Sequence, residues 1–167
     1  MDNKLIVNRI AKNAIVLALY VVLTFVSFPI AFSGIQFRLS ELLILLVFFN
    51  PDYAIGVTLG CFLCNLASPF MPWDLLIGTG ATFLSCLCFI FCPFLFVGCL
   101  FSIAANSFLV AIEYAMILNE PYFLSTGLIA IGETTMVVIS YILCMIIMKK
   151  EKVQQVVGAR IHLNFKF

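Results

Sequence analysis

The residues able to do chemistry in this chain are ionisable and carboxamide side chains set within apolar stretches. Glu113 and Glu133 each lie well inside an apolar run that contains no basic residue. An ionisable group at the centre of a bilayer costs about 2.5 kcal/mol or more, so it usually faces a cavity or a partner and marks a functional site. A carboxylate accepts two N–H groups side by side. These residues therefore indicate recognition of a ligand that is rich in hydrogen-bond donors or positively charged.

The charge balance around these two carboxylates points the same way. Between Asn13 and Met148 one basic residue, Arg38, accompanies six acidic residues: Glu41, Asp52, Asp74, Glu113, Glu120 and Glu133. One guanidinium cannot neutralise them, so either some are protonated or a cationic or donor-rich ligand completes the site. Two structural alternatives stay open. Arg38 and Glu41 can form an ion pair on a helix, because they are three residues apart, and Asp74 can cap the helix that it opens.

Enzyme chemistry has little support in the sequence. The seven cysteines, which include Cys61 and Cys64, lie mainly in apolar runs, where cysteine acts as a small packing residue. The single histidine, His162, lies in the C-terminal tail, so no zinc ligand set is expected. Neither an HExxH nor a GxSxG motif occurs. We therefore expect no enzymatic activity, no metal and no cofactor.

The composition requires membrane-spanning helices to position these residues. Of the 167 residues, 64% are hydrophobic and 10% are charged, and the mean hydropathy is +1.19. A soluble domain has about 45–50% apolar and about 25% charged residues. A net charge of +1 also gives no basic face for nucleic acid. The expected environment is a lipid bilayer.

The prolines divide the chain into spans. All six fall where a helix is expected to begin or end. The intervals predict an all-α integral membrane bundle of six transmembrane helices, in a single domain over residues 1–167. The predicted spans are Lys12–Phe28, Arg38–Asn50, Asp52–Ser68, Trp73–Cys92, Phe94–Asn119 and Tyr122–Met148. The second is short for a bilayer, so it is expected to start earlier, tilt or lie partly in the interface.

The two basic ends orient this bundle. Eight of the nine Lys and Arg residues precede the first span or follow the last, and basic residues near span ends favour the cytoplasm. An even number of spans places both termini on one side, so both are predicted to be cytoplasmic. Five of the seven interior charges then fall in the outer half, within or next to apolar helices. The candidate substrate-binding residues are Gln36, Arg38, Glu41, Asn65, Asp74, Asn106, Glu113 and Glu133.

Small residues at helical spacing mark two faces where helices can approach closely. Gly56 and Gly60 in the third span favour packing inside the bundle. Ala11, Ala14 and Ala18 form a stripe on the first span. This stripe can pack inside the bundle or receive the helix of a partner protein, and the residues alone leave both open.

The order of these motifs resembles the QueT family of queuosine-precursor transporters. The string Gln36-Phe37-Arg38-Leu39-Ser40-Glu41 is the most specific piece. It is followed by Gly60-Cys61 with Asn65, by Asp74 with Gly78 and Thr79, and by Gly132-Glu133. The resemblance covers nearly the whole chain, from Ala14 to about Met148.

This resemblance implies a substrate-binding (S) component of an energy-coupling factor (ECF) importer, an ABC-type vitamin uptake system. Such a component captures its substrate from outside and depends on a transmembrane coupling protein and two ATP-binding cassette subunits. Small residues of the first helix serve for docking, here Ala14 and Ala18 with Ala11. The loop at Phe32–Phe37 would serve as a lid, and toppling of the loaded protein would open the pocket inward.

The resemblance also implies the ligand, a 7-deazaguanine base or queuine. Glu133 or Glu113 would read its guanine-like edge, and Asn65 and Asn106 would bind its ring carbonyl or ring N–H. Arg38, oriented by Glu41, would bind the carbonyl or close the outer mouth. Phe37, Trp73 and Tyr114 are candidates to stack on the base. An S component for another small vitamin-like nutrient and a solitary small-molecule transporter remain the alternatives.

Overall fold

A computed structural model describes residues 3–158 of the chain. Residues 1–2 and 159–167 lie outside the described part, and with them the basic tail residues Arg160 and Lys166 and the histidine His162. Within residues 3–158 the secondary structure is entirely helical. The prediction of an all-α protein is therefore confirmed for this part of the chain.

Eight α-helices, a 3₁₀ segment and a π-helical segment make up the described chain. In order they are α1 (Asn3–Val26), α2 (Phe28–Ala31), the 3₁₀ segment (Leu39–Leu43), α3 (Leu46–Phe49), α4 (Tyr53–Asn65), the π segment (Asp74–Gly78), α5 (Thr79–Phe91), α6 (Leu95–Ile117), α7 (Tyr122–Ile147) and α8 (Glu151–Val157). Four stretches of the described residues are long and apolar enough to cross a membrane: Asn3–Val26, Asp74–Phe91, Leu95–Ile117 and Tyr122–Ile147. Two shorter apolar stretches are Leu39–Phe49 and Tyr53–Asn65.

The last three predicted spans agree with the helices to within two residues at each end. The π segment with α5, then α6 and α7, begin just after Pro72, Pro93 and Pro121. Proline lacks a backbone N–H, so it is tolerated at the start of a helix but breaks an interior turn. This property makes these boundaries readable from the sequence.

The first predicted span is too short at its start. The helix begins at Asn3 rather than Lys12, because the residues before Lys12, in which Asn and basic side chains interrupt the apolar ones, continue the same helix. Hydropathy marks the apolar part of a helix and does not mark a polar extension into water. The third predicted span is slightly too long, since α4 ends at Asn65 rather than Ser68.

The prediction of a continuous helix over Arg38–Asn50 is wrong. This stretch is a 3₁₀ turn, an irregular pair of residues and the single turn α3. Ser40, Ile44, Leu45 and Val47 are fully buried. Irregular backbone at membrane depth is tolerated where protein surrounds it, so neighbouring helices enclose this segment and allow it to depart from α-helical geometry.

Helices α1 and α4 approach closely through the two glycines of α4. A Cβ at Gly56 would lie 2.7 Å from the carbonyl oxygen of Asn13, and one at Gly60 would lie 2.8 Å from the Cβ of Tyr20. The Asn13 side chain also accepts the backbone N–H of Gly56 at 2.9 Å. The prediction that Gly56 and Gly60 pack inside the bundle is confirmed by these distances.

The outer surface of the bundle is apolar, as expected for contact with lipid. Phe91 and Phe123 are 80% and 83% exposed, and Leu76 is 70% exposed. Polar side chains instead gather in the interior, where 19 buried polar or charged residues accompany the buried apolar ones among the described residues. This inverted arrangement places the candidate site inside the bundle.

Candidate substrate-binding site

All eight predicted site residues are buried, and none is more than 5% exposed. They come from the loop after α2, the 3₁₀ segment, α4, the π segment, α6 and α7. Because these elements pack against one another, residues separated by up to about a hundred positions in the chain meet inside one bundle. The structure brings six of them together in two groups. Glu113 lies beside the first group and is counted with it, whereas Gln36 lies apart and binds Tyr114.

The first group is centred on Asp74 in the π segment. Its carboxylate accepts a hydrogen bond from the Ser68 hydroxyl and forms an ion pair with the Arg38 guanidinium at 3.4 Å. Asn65 donates to the backbone carbonyl of Asp74 at 2.9 Å and to the Thr79 hydroxyl at 3.1 Å. Asp74 is therefore held from three sides, at a place where α4 meets the π segment.

This arrangement corrects two interpretations made from the sequence. Arg38 pairs with Asp74 rather than with Glu41, because Arg38 precedes the 3₁₀ turn in an extended conformation and the helical three-residue spacing does not apply. Asp74 does not cap its helix. The residue at the cap position is Trp73, which makes no side-chain cap bond, and the Asp74 carboxylate is engaged by Arg38 and Ser68 instead.

The second group joins the 3₁₀ segment to α1, α6 and α7. Tyr20 of α1 donates its hydroxyl to Glu41 Oε1 at 3.0 Å, and Asn106 donates to Glu133 Oε2 at 3.3 Å. Glu133 also interacts electrostatically with Glu41 and Arg38. Tyr20 was missed by sequence reasoning, although its position four residues before Thr24 on a mostly apolar helix was a usable signal.

Glu113 has an environment unlike that of the other three carboxylates. It is 1% exposed, and neither carboxylate oxygen makes a well-aligned hydrogen bond among the described residues, although the Asp74 side chain and the Gly78 backbone approach it within weaker hydrogen-bonding range. Asp74 and Arg38 lie close enough to interact with it electrostatically. Leaving a buried polar group unpaired costs about 1–3 kcal/mol, and more for a charged group. Such a poorly paired carboxylate fits a group that a ligand completes.

The charge count of the interior reinforces this point. The two groups contain four carboxylates, on Glu41, Asp74, Glu113 and Glu133, and one guanidinium, on Arg38. One oxygen of Glu41 and both of Glu113 are buried without a well-aligned hydrogen bond in the described chain. Among the buried charged groups carboxylates therefore outnumber the guanidinium four to one, which suits a ligand that brings several N–H groups or a positive charge.

The loop between α2 and the 3₁₀ segment covers one end of this region. Gln36 donates to the Tyr114 hydroxyl at 3.1 Å, and Tyr114 donates to the Ser33 carbonyl at 3.0 Å. A Cβ added to Gly132 would overlap the Ile35 carbonyl oxygen, so the loop backbone lies directly against α7. Tyr114 therefore holds this loop with its hydroxyl.

The alanine stripe of α1 lies on the outer face of the bundle. Ala11, Ala14 and Ala18 are exposed, whereas Val16 and Tyr20 on the opposite face are buried. A groove of about 410 Å³ runs beside the stripe, between α1 and α4. It is lined mainly by apolar side chains, with the Arg9–Asp52 ion pair (2.5 Å) among its lining residues.

The sequence model of one transporter family, described as QueT transporter, matches residues 10–149. This chain belongs to the QueT transporter family. It is also 36% identical, over an alignment of 142 residues, to the queuosine precursor transporter QueT of Lactococcus lactis subsp. cremoris (strain MG1363). That alignment covers 74% of this chain and 82% of the relative. No solved structure matches the chain significantly.

Membership of the QueT family establishes the general role of the molecule. It is a transporter and a multi-pass protein of the cell membrane, in agreement with its membrane-length apolar helices. The resemblance to the QueT family, inferred from the motifs around Arg38, Asn65, Asp74 and Glu133, is therefore confirmed.

Proposed function

We propose that this QueT-family protein binds a queuosine precursor from outside the cell and delivers it inward as the substrate-binding component of an ECF-type importer. The observation that carries the substrate proposal is the buried Glu113 carboxylate, which makes no well-aligned hydrogen bond among the described residues and shares the interior with three other carboxylates and one guanidinium. The likeness to the Lactococcus queuosine precursor transporter supports the ligand class. The eight buried polar residues form the proposed binding site.

The proposed ligand has chemistry that suits this interior. A 7-deazaguanine carries a ring N–H and an exocyclic amine side by side, and a carboxylate accepts both in a bidentate arrangement. Neither oxygen of Glu113 makes a well-aligned hydrogen bond among the described residues, so the carboxylate can accept that edge in place of its weaker contacts with Asp74 and Gly78. Glu133 provides a second carboxylate, and the Asn106 amide beside it can exchange partners. A precursor with an aminomethyl group would add a positive charge for the remaining carboxylate.

The proposed topology has six spans in one domain, with both termini in the cytoplasm. The spans are α1, the 3₁₀ segment with α3, α4, the π segment with α5, α6 and α7. The short span formed by the 3₁₀ segment and α3 is largely buried in the protein, which spares its irregular backbone from lipid. Cysteine substitutions at Asn119 and Lys150, labelled by a membrane-impermeant thiol reagent, test this topology. Labelling from outside is expected at position 119 only, above the background of the native cysteines.

The ligand class is tested by isothermal titration of purified protein with a panel of bases. The panel contains 7-cyano-7-deazaguanine, 7-aminomethyl-7-deazaguanine, queuine and guanine. Binding to at least one of the first three, with guanine weaker, is the expected result. No binding to any of these three, together with binding to an unrelated vitamin, would favour the alternative of another nutrient.

Docking of a coupling module is proposed at the outer face of α1. Three exposed alanines beside an apolar groove allow the helix of a partner to approach closely. In this proposal the partner is a transmembrane coupling protein that is associated with two ATP-binding cassette subunits. The ion pair of Arg9 with Asp52 contributes a polar feature to the same groove.

The docking proposal is tested by co-purification with the coupling module. Ala14→Trp is expected to prevent assembly while leaving base binding unchanged, because a large side chain fills the groove. Ile146→Trp is the matched control and should assemble normally. Ile146 is 60% exposed and lies at the C-terminal end of α7, which is cytoplasmic in the proposed topology. Assembly of both variants would contradict docking at this face. Base exchange in vesicles without ATP-binding subunits would instead favour a solitary transporter.

A further inference from the structure

Three hydroxyl side chains, two on α1 and one on the residue just after it, contact the first three residues of the 3₁₀ segment. Tyr20 binds Glu41, and the Thr24 and Ser40 hydroxyls lie 2.8 Å apart. Ser27 accepts the backbone N–H of Leu39 at 3.3 Å. The three hydroxyl residues are spaced by four and three positions, so they share one face of the helix.

These contacts matter because the segment they hold is not an α-helix. A 3₁₀ turn has poorer hydrogen-bond geometry than an α-helix and is stable only in short pieces. The Glu41 side chain therefore depends on contacts from outside its own segment for a fixed position. Tyr20 is 1% exposed and its ring packs over Gly60, which immobilises the hydroxyl that contacts Glu41.

The other oxygen of Glu41 lacks a hydrogen-bond partner in the described part of the chain. This atom, Oε2, is buried, whereas Oε1 receives the Tyr20 hydroxyl. Glu41 also interacts electrostatically with Glu133, so its free oxygen belongs to the same carboxylate-rich interior. A carboxylate with one oxygen anchored and the other free presents a single acceptor in a defined position.

From this geometry we infer that Tyr20 is a positioning residue of the binding site, which fixes Glu41 so that Oε2 accepts an N–H group of the substrate. The inference rests on the proposed function for the identity of the substrate. Tyr20 acts through Glu41 and does not itself contact the ligand. Loss of its hydroxyl is expected to weaken binding about tenfold or more, the usual effect of losing a hydrogen bond to a charged group.

A double-mutant cycle tests this inference. Titration with 7-aminomethyl-7-deazaguanine compares Tyr20→Phe, Glu41→Gln, the double variant and wild type. Tyr20→Phe is expected to weaken binding in the wild-type background and to have little further effect once Glu41 is glutamine. Additive effects, or an unchanged dissociation constant in Tyr20→Phe with a lowered unfolding temperature, would overturn the inference and leave Tyr20 with a structural role.

Tyr53→Phe is the matched control, because it removes a tyrosine hydroxyl bonded at 2.8 Å to the Val157 carbonyl, away from the site. Its dissociation constant should equal that of wild type. Infrared spectroscopy of ligand-free protein gives a second readout: the carboxylate band lost in Glu41→Gln should shift in Tyr20→Phe and not in Tyr53→Phe. If wild type binds no base, the proposed function fails, and this band alone decides the Tyr20 assignment.

Discussion

Substitution of Gly132 by alanine tests whether the loop at Phe32–Phe37 closes over bound substrate. The added methyl group would overlap the Ile35 carbonyl oxygen and would also lie 3.1 Å from the carbonyl oxygen of Gln36. Both of these atoms belong to the loop backbone, so the side chain of a neighbour cannot relieve the overlap. The loop as a whole must move away from α7.

The size of the effect follows from what holds the loop. Inserting a methyl group into a packed contact costs about 1–3 kcal/mol. The two hydrogen bonds through Tyr114, at 3.1 and 3.0 Å, each contribute about 0.5–1.5 kcal/mol. The penalty is therefore comparable to the energy that keeps the loop closed. If it acts on the closed state alone, dissociation of substrate accelerates by about 5- to 150-fold.

The assay is the dissociation rate of radiolabelled 7-aminomethyl-7-deazaguanine from purified protein, measured by rapid filtration. Gly127→Ala is the matched control, because a Cβ at Gly127 on the same helix meets no atom within 4 Å. Tyr114→Phe removes both loop hydrogen bonds without adding volume and should accelerate dissociation in the same direction. Dissociation at the wild-type rate in both Gly132→Ala and Tyr114→Phe would refute the assignment of this loop as a lid.

Two further predictions concern stability, measured by chemical unfolding in detergent. Asp74→Asn leaves Arg38 as a buried charge without its ion-pair partner and is expected to cost about 3–5 kcal/mol. Asp52→Asn should destabilise the protein less, because its partner Arg9 has a 53% exposed side chain that water can solvate once the ion pair is lost. Equal losses in the two variants would contradict the buried ion pair. Gly60→Ala should destabilise by about 1–3 kcal/mol because its Cβ would lie 2.8 Å from the Tyr20 Cβ, while Gly80→Ala, which meets no atom within 4 Å, should not destabilise.

Much of the helical framework follows from the sequence, because prolines and apolar length are local signals. The boundaries at Pro72, Pro93 and Pro121 agree with the structure for this reason. The 3₁₀ conformation of Leu39–Leu43 has no local signal, since it depends on enclosure by neighbouring helices. The early start of α1 at Asn3 also escapes a prediction made from hydropathy.

The sequence predicts which residues belong to the site better than it predicts which of them contact each other. Charge scarcity singled out Arg38, Asp74 and Glu133, and all three are buried in one region. Their partners depend on tertiary contacts between residues that are far apart in the chain. Arg38 reaches Asp74 across 36 positions, and Glu133 receives Asn106 across 27. Helical spacing describes contacts within one helix only, so it could not find these pairs.

The central claim is that a buried carboxylate reads the guanine-like edge of a queuosine precursor, and calorimetric titration of Glu113→Gln tests it most directly. Replacing the carboxylate by an amide removes one acceptor oxygen and the charge, so affinity for 7-aminomethyl-7-deazaguanine should fall about 10- to 150-fold. Glu120→Gln is the control, since Glu120 lies in the turn before α7 and accepts a hydrogen bond from the Ser125 hydroxyl. Wild-type affinity in Glu113→Gln, and also in Glu133→Gln, would contradict the claim.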